Sequence, residues 1–118
     1  MKNKELQDVY FRFLNLFRTI EALPGFPVLD AIERALLDEL ACKWENGEML
    51  LVSQAISLAE IGSPATLHAR LKRLHRQGMI EYCTDVDARK KYIQPTEKAL
   101  KYFAQISACM TKAALATR

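Results

Sequence analysis

Residues 63–80 read SPATLHARLKRLHRQGMI, and this stretch decides the fold. Ser63 followed by Pro64 is typical of a helix start, because serine caps the free N–H groups and proline at the first helical position loses no hydrogen bond. Three leucines recur at the i, i+4, i+7 spacing of one helix face: Leu67, Leu71 and Leu74. Gly78 is placed to end the helix. The sequence therefore predicts a helix over 63–78 with one buried stripe.

A short helix is expected immediately upstream. Ser53 is placed to cap it, the helix runs to about Glu60, and Ile61-Gly62 forms the turn into the next helix. Before it, the apolar run 49–51 predicts a minimal strand. Together with 63–78, this pattern predicts a helix-turn-helix.

A hairpin is expected downstream. Residues 79–84 and 91–94 have the composition of strands, and the polar stretch 85–90 separates them. A charged hairpin that follows a helix-turn-helix is the pattern of a wing.

A capped helix over 31–46 precedes these elements. Asp30 and Glu33 have the spacing of a capping box, and Gly47 suits the position after the last turn. Most charges of this helix are acidic. Its acidic outer face is expected to point away from any nucleic acid.

Two longer helices are expected at 4–23 and 96–116. Their apolar positions recur at steps of three and four, which is typical of amphipathic helices. Burial within one domain and a dimer interface both explain so much apolar surface. The candidate dimerisation residues are Leu6, Tyr10, Phe13, Phe17, Ile20, Phe103, Ile106 and Met110.

The predicted fold is mainly α with a small β-hairpin wing, an α+β arrangement. A winged helix-turn-helix core at 30–94 is flanked by helical dimerisation elements at 1–23 and 96–118. We expect the whole chain, 1–118, to form a single domain, since 118 residues bury a sufficient core without disulfides or metal.

The charge pattern of the helix at 63–78 favours double-stranded DNA as the partner. This helix carries four arginines and lysines, two histidines and no acid. An α-helix fits the major groove, and small residues at its N-terminus allow close approach to base edges. The candidate DNA-binding residues of the helix-turn-helix are Ser53, Gln54, Ser63, Pro64, Ala65, Thr66, His68, Ala69, Arg70 and Arg73. A solvated basic helix face that binds nothing is the alternative.

The hairpin tip adds three consecutive basic residues: Arg89, Lys90 and Lys91. An arginine at a wing tip suits a narrow minor groove, where the negative potential is strongest. Asp87 is placed to orient Arg89. An ordinary solvated turn is the alternative.

Two motifs resemble the MarR-type winged-helix regulators. The first is Ser63-Pro64-Ala65-Thr66-Leu67-x-x-x-Leu71-x-x-Leu74-x-x-x-Gly78-Met79-Ile80, and the second is Asp87-x-Arg89-Lys90-x-x-x-x-x-Thr96-x-Lys98. The resemblance implies a homodimer that binds a pseudo-palindromic operator, usually as a transcriptional repressor, with the wing Asp–Arg pair at the DNA backbone and minor groove. Family members usually have glycine where Ala99 stands, and they commonly continue beyond 116 into a second dimerisation helix. The first helix, aided by 96–116, is therefore expected to carry dimerisation.

Other classes of function have little support in the sequence. Paired carboxylates in an apolar setting, a glycine-rich phosphate loop and metal-ligand spacing are all missing, so we expect no catalysis, metal or cofactor. A small-molecule effector is compatible with the resemblance but no residue supports it. The alternatives to a regulator are a winged helix for protein–protein assembly and a module for plasmid or phage replication or partition.

Location and redox state follow from the remaining patterns. No secretory signal or apolar run of membrane-spanning length is seen, so we expect a cytoplasmic protein without a membrane partner. Three widely spaced cysteines are expected to be buried small hydrophobes in a reducing compartment, with a redox-sensing thiol as the alternative: Cys42, Cys83 and Cys109.

Overall fold

The computed structural model describes residues 2–86 and 89–116. Within them the chain forms five helices and one hairpin, in this order: α1 Asn3–Glu21, α2 Ala31–Glu45, α3 Val52–Ala55, α4 Pro64–Arg76, β1 Ile80–Thr84, β2 Lys91–Pro95 and α5 Glu97–Leu115. The mainly α, winged helix-turn-helix fold predicted from the sequence is confirmed.

The chain divides into two compact units. One comprises 1–28 and 101–118, and is called the helical unit below; the other comprises 29–100, and is called the winged unit. One boundary falls two residues before the α2 N-cap, and the other falls within α5.

The core of the winged unit forms where α2 and α4 pack together over the hairpin. The predicted leucine stripe of α4 is confirmed, since Leu67, Leu71 and Leu74 are at most 1% exposed. Leucines of α2 are equally buried: Leu36, Leu37 and Leu40. Each such side chain contributes about 1.5–3 kcal/mol relative to an exposed one, so this stripe fixes which face of α4 is turned inward.

Both ends of α4 follow from its sequence. Ser63 is the N-cap, and its Oγ accepts a hydrogen bond from the Thr66 N–H at 3.2 Å. Gly78 has φ +75°, a left-handed conformation that glycine adopts without steric cost. The predicted N-cap serine, first-position proline and terminal glycine are thus confirmed.

The third helix differs from the prediction. It begins at Val52 instead of after Ser53, and it ends at Ala55 instead of near Glu60. The residues that follow form turns, with the Ile61 N–H donating to the Leu58 carbonyl at 2.9 Å. One helical turn with a single fully buried side chain, Ala55, has little packing to extend it.

The predicted hairpin is confirmed. β1 and β2 pair antiparallel, with Tyr82 opposite Ile93 and Ile80 opposite Pro95. The predicted minimal strand at 49–51 is a single bridge between Leu51 and Tyr92, and the Ile93 N–H donates to the Leu50 carbonyl at 2.9 Å. The wing is thereby joined to the segment that enters α3.

An aromatic cluster forms the core of the helical unit. Phe17 is 7% exposed and stacks on Phe13 at 5.8 Å between ring centroids. Phe26 joins Phe17 to Tyr102, at 6.2 and 5.5 Å. Arg12 Nε donates to the Ala113 carbonyl at 3.1 Å, which ties α1 to α5.

The cysteine expectation is wrong for Cys42, which is exposed, while Cys83 is half-buried and only Cys109 is buried. Cys42 lies on α2 outside the positions of Leu36 and Leu40, which face the core. None of the described helices is both long and apolar enough to span a bilayer.

Candidate nucleic-acid interface

The N-terminal turn of α4 is an open surface of small side chains. Ser63, Pro64 and Ala65 are exposed, and so are His68 and Ala69 one turn later. Thr66 is half-buried, with its Oγ1 3.0 Å from Ser63 Oγ. Six of the predicted contact residues therefore share one accessible end and flank of the helix.

The two predicted contacts from the preceding element, Ser53 and Gln54, are also exposed. Gln54 Oε1 accepts a hydrogen bond from the Leu51 N–H at 2.8 Å, so its side chain helps to start α3. The Ser53 carbonyl accepts from Ser57 Oγ at 2.8 Å. The Ser53 hydroxyl thus stands on the helix itself and is not the predicted N-cap.

A groove of about 420 Å³ separates α4 from the wing. Its floor is apolar, with Leu71 buried and Val52 half-buried. Its polar lining consists of basic and aromatic side chains without an acid: His68, Lys72, His75, Arg76, Tyr82 and Lys91. The groove therefore presents a concentrated positive potential to an anionic partner.

Tyr82 organises the wing side of this groove. Its ring lies 4.8 Å from that of His75, between centroids, and Lys91 Nζ lies 5.9 Å from its centre. Burial raises the pKa of the Tyr82 hydroxyl, so the phenol stays neutral and adds no negative charge among the cations.

Lys72, His75 and Arg76 line this groove but were not singled out from the sequence. They lie on the flank of α4 away from α2 and are exposed. Lys72 and Arg76 are four residues apart, and both follow His68 on one side of the leucine stripe. The four-residue spacing indicates that these side chains share one flank of α4. Tertiary packing decides which flank faces the wing, and the sequence does not specify it.

Arg70 and Arg73, by contrast, face α2. Arg70 Nε lies 2.8 Å from Asp30 Oδ2. Arg73 Nη1 lies 3.5 Å from the same oxygen, and its Nε lies 3.3 Å from Glu33 Oε2. Both arginines predicted to contact DNA are thus engaged by carboxylates of their own chain.

The two carboxylates also form the capping box of α2. The Glu33 N–H donates to Asp30 Oδ1, and the Asp30 N–H donates to Glu33 Oε1, each at 2.8 Å. The Glu33 N–H lowers the pKa of Asp30, and the Arg70 and Arg73 charges add to this against its partial burial. Glu33 is fully buried. The expectation of an acidic outer face is therefore wrong for Asp30 and Glu33, because the capping geometry turns both toward α4.

The C-terminal end of α4 is held by the beginning of α5. Thr96 Oγ1 donates to the Gly78 carbonyl at 2.5 Å and accepts from the Ala99 N–H at 3.1 Å. Lys98 Nζ donates to the Gln77 carbonyl at 2.7 Å. Thr96 thus caps the last helix and also anchors the end of α4.

The wing tip presents its basic residues to solvent. Arg89, Lys90 and Lys91 are all exposed. Asp87, which was expected to orient Arg89, lies outside the described residues. Val86 is also exposed on this loop.

The candidate dimerisation residues fall into two groups. Leu6, Tyr10 and Met110 are 51%, 57% and 54% exposed. Phe17 is covered within its own unit, and the others are half-buried: Phe13, Ile20, Phe103 and Ile106. The exposed Phe11, at 56%, was not predicted.

The fold is that of solved transcriptional regulators. An S. aureus MepR mutant bound to an oligodeoxyribonucleotide superposes with a TM-score of 0.61, at 14% identity over 90% of this chain and 70% of that one. Transcriptional regulator PA4135 gives 0.58, at 19% identity over 98% and 79%. A Lactococcus lactis ZitR mutant gives 0.55, at 20% identity over 95% and 79%.

The resemblance to MarR-type winged-helix regulators is confirmed at the level of the fold by these superpositions. No family model matches the sequence, and no curated protein matches it. Among the described residues, no group of three histidine, cysteine or acidic side chains is arranged to hold a metal ion.

Proposed function

We propose that this protein is a transcriptional regulator that binds double-stranded DNA, with α4 in the major groove and the wing beside the adjacent backbone and minor groove. The groove between α4 and the wing carries the proposal, because its polar lining is basic and lacks an acid. Cations along the groove supply sequence-independent affinity for phosphates, and the exposed end of α4 is left for base edges.

The arrangement of α4 supports this docking. Ser63, Pro64 and Ala65 are small and exposed, so the backbone of the helix start approaches the base edges closely. His68 and Ala69 follow on the accessible flank. Lys72, Arg76 and Lys91 then suit the phosphates that border the groove. The MepR complex, in which a protein of this fold is bound to an oligodeoxyribonucleotide, supports the same role.

A role in protein–protein assembly is the competing function, and the character of α4 argues against it. Assembly surfaces are enriched in aromatic side chains, methionine and arginine, and they are depleted of lysine. No large exposed apolar side chain lies on α4, a helix that the structure describes throughout. Its accessible face is small, polar and basic, which favours DNA.

We further propose that the protein acts as a homodimer and as a repressor in the compartment that holds the DNA. The exposed Leu6 and Tyr10 of α1 and Met110 of α5 support an interface in the helical unit. Isolated exposed apolar residues are ordinary. Bulky exposed residues on both helices of one unit instead favour an interface in which a second copy of the chain buries them. A two-fold dimer binds a two-fold operator, and blocking a promoter is the simplest outcome.

Selection of bound duplexes from random DNA tests the proposal. We expect a pseudo-palindrome with half-sites about one helical turn, roughly 10 base pairs, apart. The double variant Lys72→Glu/Arg76→Glu should recover no enriched sequence, because it reverses the charge of the groove. The exposed positions Lys4 and Lys101, changed together to glutamate, form the control with the same change in net charge. An unenriched wild-type pool would refute the proposed function.

Arg89→Ala tests the wing separately. We expect weaker binding and a smaller salt dependence, equivalent to about one phosphate contact. A salt dependence equal to that of the wild type would show that this arginine does not reach the DNA.

A further inference from the structure

Arg70 and Arg73 supply positive charge to the α4 face that turns toward α2, yet carboxylates of the same chain already neutralise this charge. Two guanidinium groups meet two carboxylates, at 2.8 to 3.5 Å. Lys72 and Arg76 differ: within the described part of the chain, no ion pair involves either of them. The positive charge available to an anionic partner therefore lies on the wing side of α4.

Each carboxylate divides its two oxygens between two tasks. Asp30 Oδ1 and Glu33 Oε1 accept the backbone N–H groups that cap α2. Asp30 Oδ2 and Glu33 Oε2 meet the arginines of α4. The capping box holds the carboxylates in one orientation, so their remaining oxygens form a fixed binding site for the two guanidinium groups.

Release of the arginines toward DNA is opposed by burial. Arg70 has a side chain that is 26% exposed, and Glu33 is 0% exposed. Moving Arg73 to a phosphate would leave the buried Glu33 carboxylate without its cation, which is unfavourable. The observed ion pairs are therefore expected to persist when α4 occupies a groove.

We propose that Arg70 and Arg73 are positioning residues, which act on DNA binding by fixing α4 against the α2 capping box and not by touching DNA. This inference rests on the proposed function. Asp30 is the central residue of this ion-pair cluster, because its Oδ2 contacts both arginines. Arg70 and Arg73, three residues apart, hold one flank of α4, while its other flank faces the wing. Sequence readout then falls on the open helix start and His68.

Asp30→Asn provides the sharpest test. Asparagine caps a helix as well as aspartate does, so α2 keeps its N-cap while residue 30 loses its negative charge. Affinities for the selected operator and for a duplex of scrambled sequence would be measured over a range of salt. Glu45→Gln, at an exposed position in the last turn of α2, is the matched control for the lost negative charge.

Positioning and direct contact give opposite results. If Arg70 and Arg73 position α4, Asp30→Asn and Arg70→Ala should each lower operator affinity about tenfold with unchanged salt slope. Affinity for scrambled DNA should stay at the level of the control. The double variant should bind no worse than Asp30→Asn alone, because Asp30→Asn already breaks the contact that Arg70→Ala removes.

If the arginines contact DNA, Asp30→Asn should release them and raise operator affinity above that of Glu45→Gln, and Arg70→Ala should reduce the salt slope by about one phosphate. Either result would overturn the inference alone, while the proposed function stands. A wild-type protein without affinity for any duplex would overturn both.

Discussion

Arg70 Nε lies 2.8 Å from Asp30 Oδ2, and this contact joins the middle of α4 to the N-cap of α2. The same aspartate caps α2 through its other oxygen. One carboxylate thus serves local helix formation and tertiary packing together, and the stability of the winged unit should depend on its charge.

The pKa of Asp30 predicts how stability changes with acidity. It is lowered in the folded chain, first by the Glu33 N–H and then by Arg70 and Arg73. The stabilisation is therefore complete above the unfolded carboxyl pKa of about 3.9 and is lost as the pH falls through the lower folded value. Asp30→Asn should be less stable than the wild type at pH 7 and should lose less stability between pH 5 and 3, as urea denaturation would measure. Parallel pH profiles for the two proteins would contradict this.

Arg73→Ala should destabilise the fold by about 2–3 kcal/mol, because it leaves the carboxylate of Glu33 buried without its cation. Arg76→Ala, three residues along the same helix and exposed, is the control and should change the free energy of unfolding by less than about 0.5 kcal/mol. Denaturant unfolding measures both. Equal stabilities of the Arg73→Ala and Arg76→Ala variants would contradict this prediction.

Lys72→Ala combined with Arg76→Ala should weaken operator binding and its dependence on salt. Each phosphate contact contributes about 0.9 to the slope of log affinity against log salt, so the double variant should lose roughly 1.8. Fluorescence anisotropy at several salt concentrations gives the slope. A weaker affinity with the full slope would mean that these side chains do not contact phosphates.

Thr96→Val should destabilise the winged unit by about 1–2 kcal/mol. The substitution keeps the shape but removes the hydroxyl that donates to the Gly78 carbonyl and caps α5. Thr111→Val, at an exposed position within α5, is the control. Thermal unfolding of both variants checks the prediction, which fails if Thr96→Val unfolds at the same temperature as the control.

Tyr10→Glu should convert the proposed dimer to a monomer without unfolding it, because Tyr10 is 57% exposed within its own chain. A charge buried at an apolar interface is strongly unfavourable. Thr19→Glu, nine residues along on the opposite face of α1, is the control. Sedimentation velocity separates the outcomes. A Tyr10→Glu protein that remains dimeric would exclude this face from the interface.

Local elements were predictable because their signals lie within a few residues. The Asp30–Glu33 capping box, the Ser63-Pro64 helix start and the Gly78 end all depend on contacts across one helical turn. The third helix was not predicted correctly, because a four-residue helix depends on its tertiary surroundings more than on its own sequence.

The tertiary contacts of the basic residues were less predictable. Helical spacing places Arg70, Lys72, Arg73 and Arg76 around the leucine stripe, but the sequence does not specify which flank meets α2. For this reason Arg70 and Arg73 were assigned to DNA and Lys72 and Arg76 were not. Similarly, the apolar spacing of α1 did not separate Phe17, which is buried, from Tyr10, which is exposed.

The sequence by itself determined the winged helix-turn-helix, because periodicity, caps and turns act locally and agree with one another. Only the tertiary structure decided how the charges of residues 63–78 are used. Coulomb interactions depend on distance in space, and Asp30 lies forty residues before Arg70 in the chain but 2.8 Å from it in the fold. The basic helix that identified the fold is therefore divided, with one flank neutralised against α2 and the other open toward the wing.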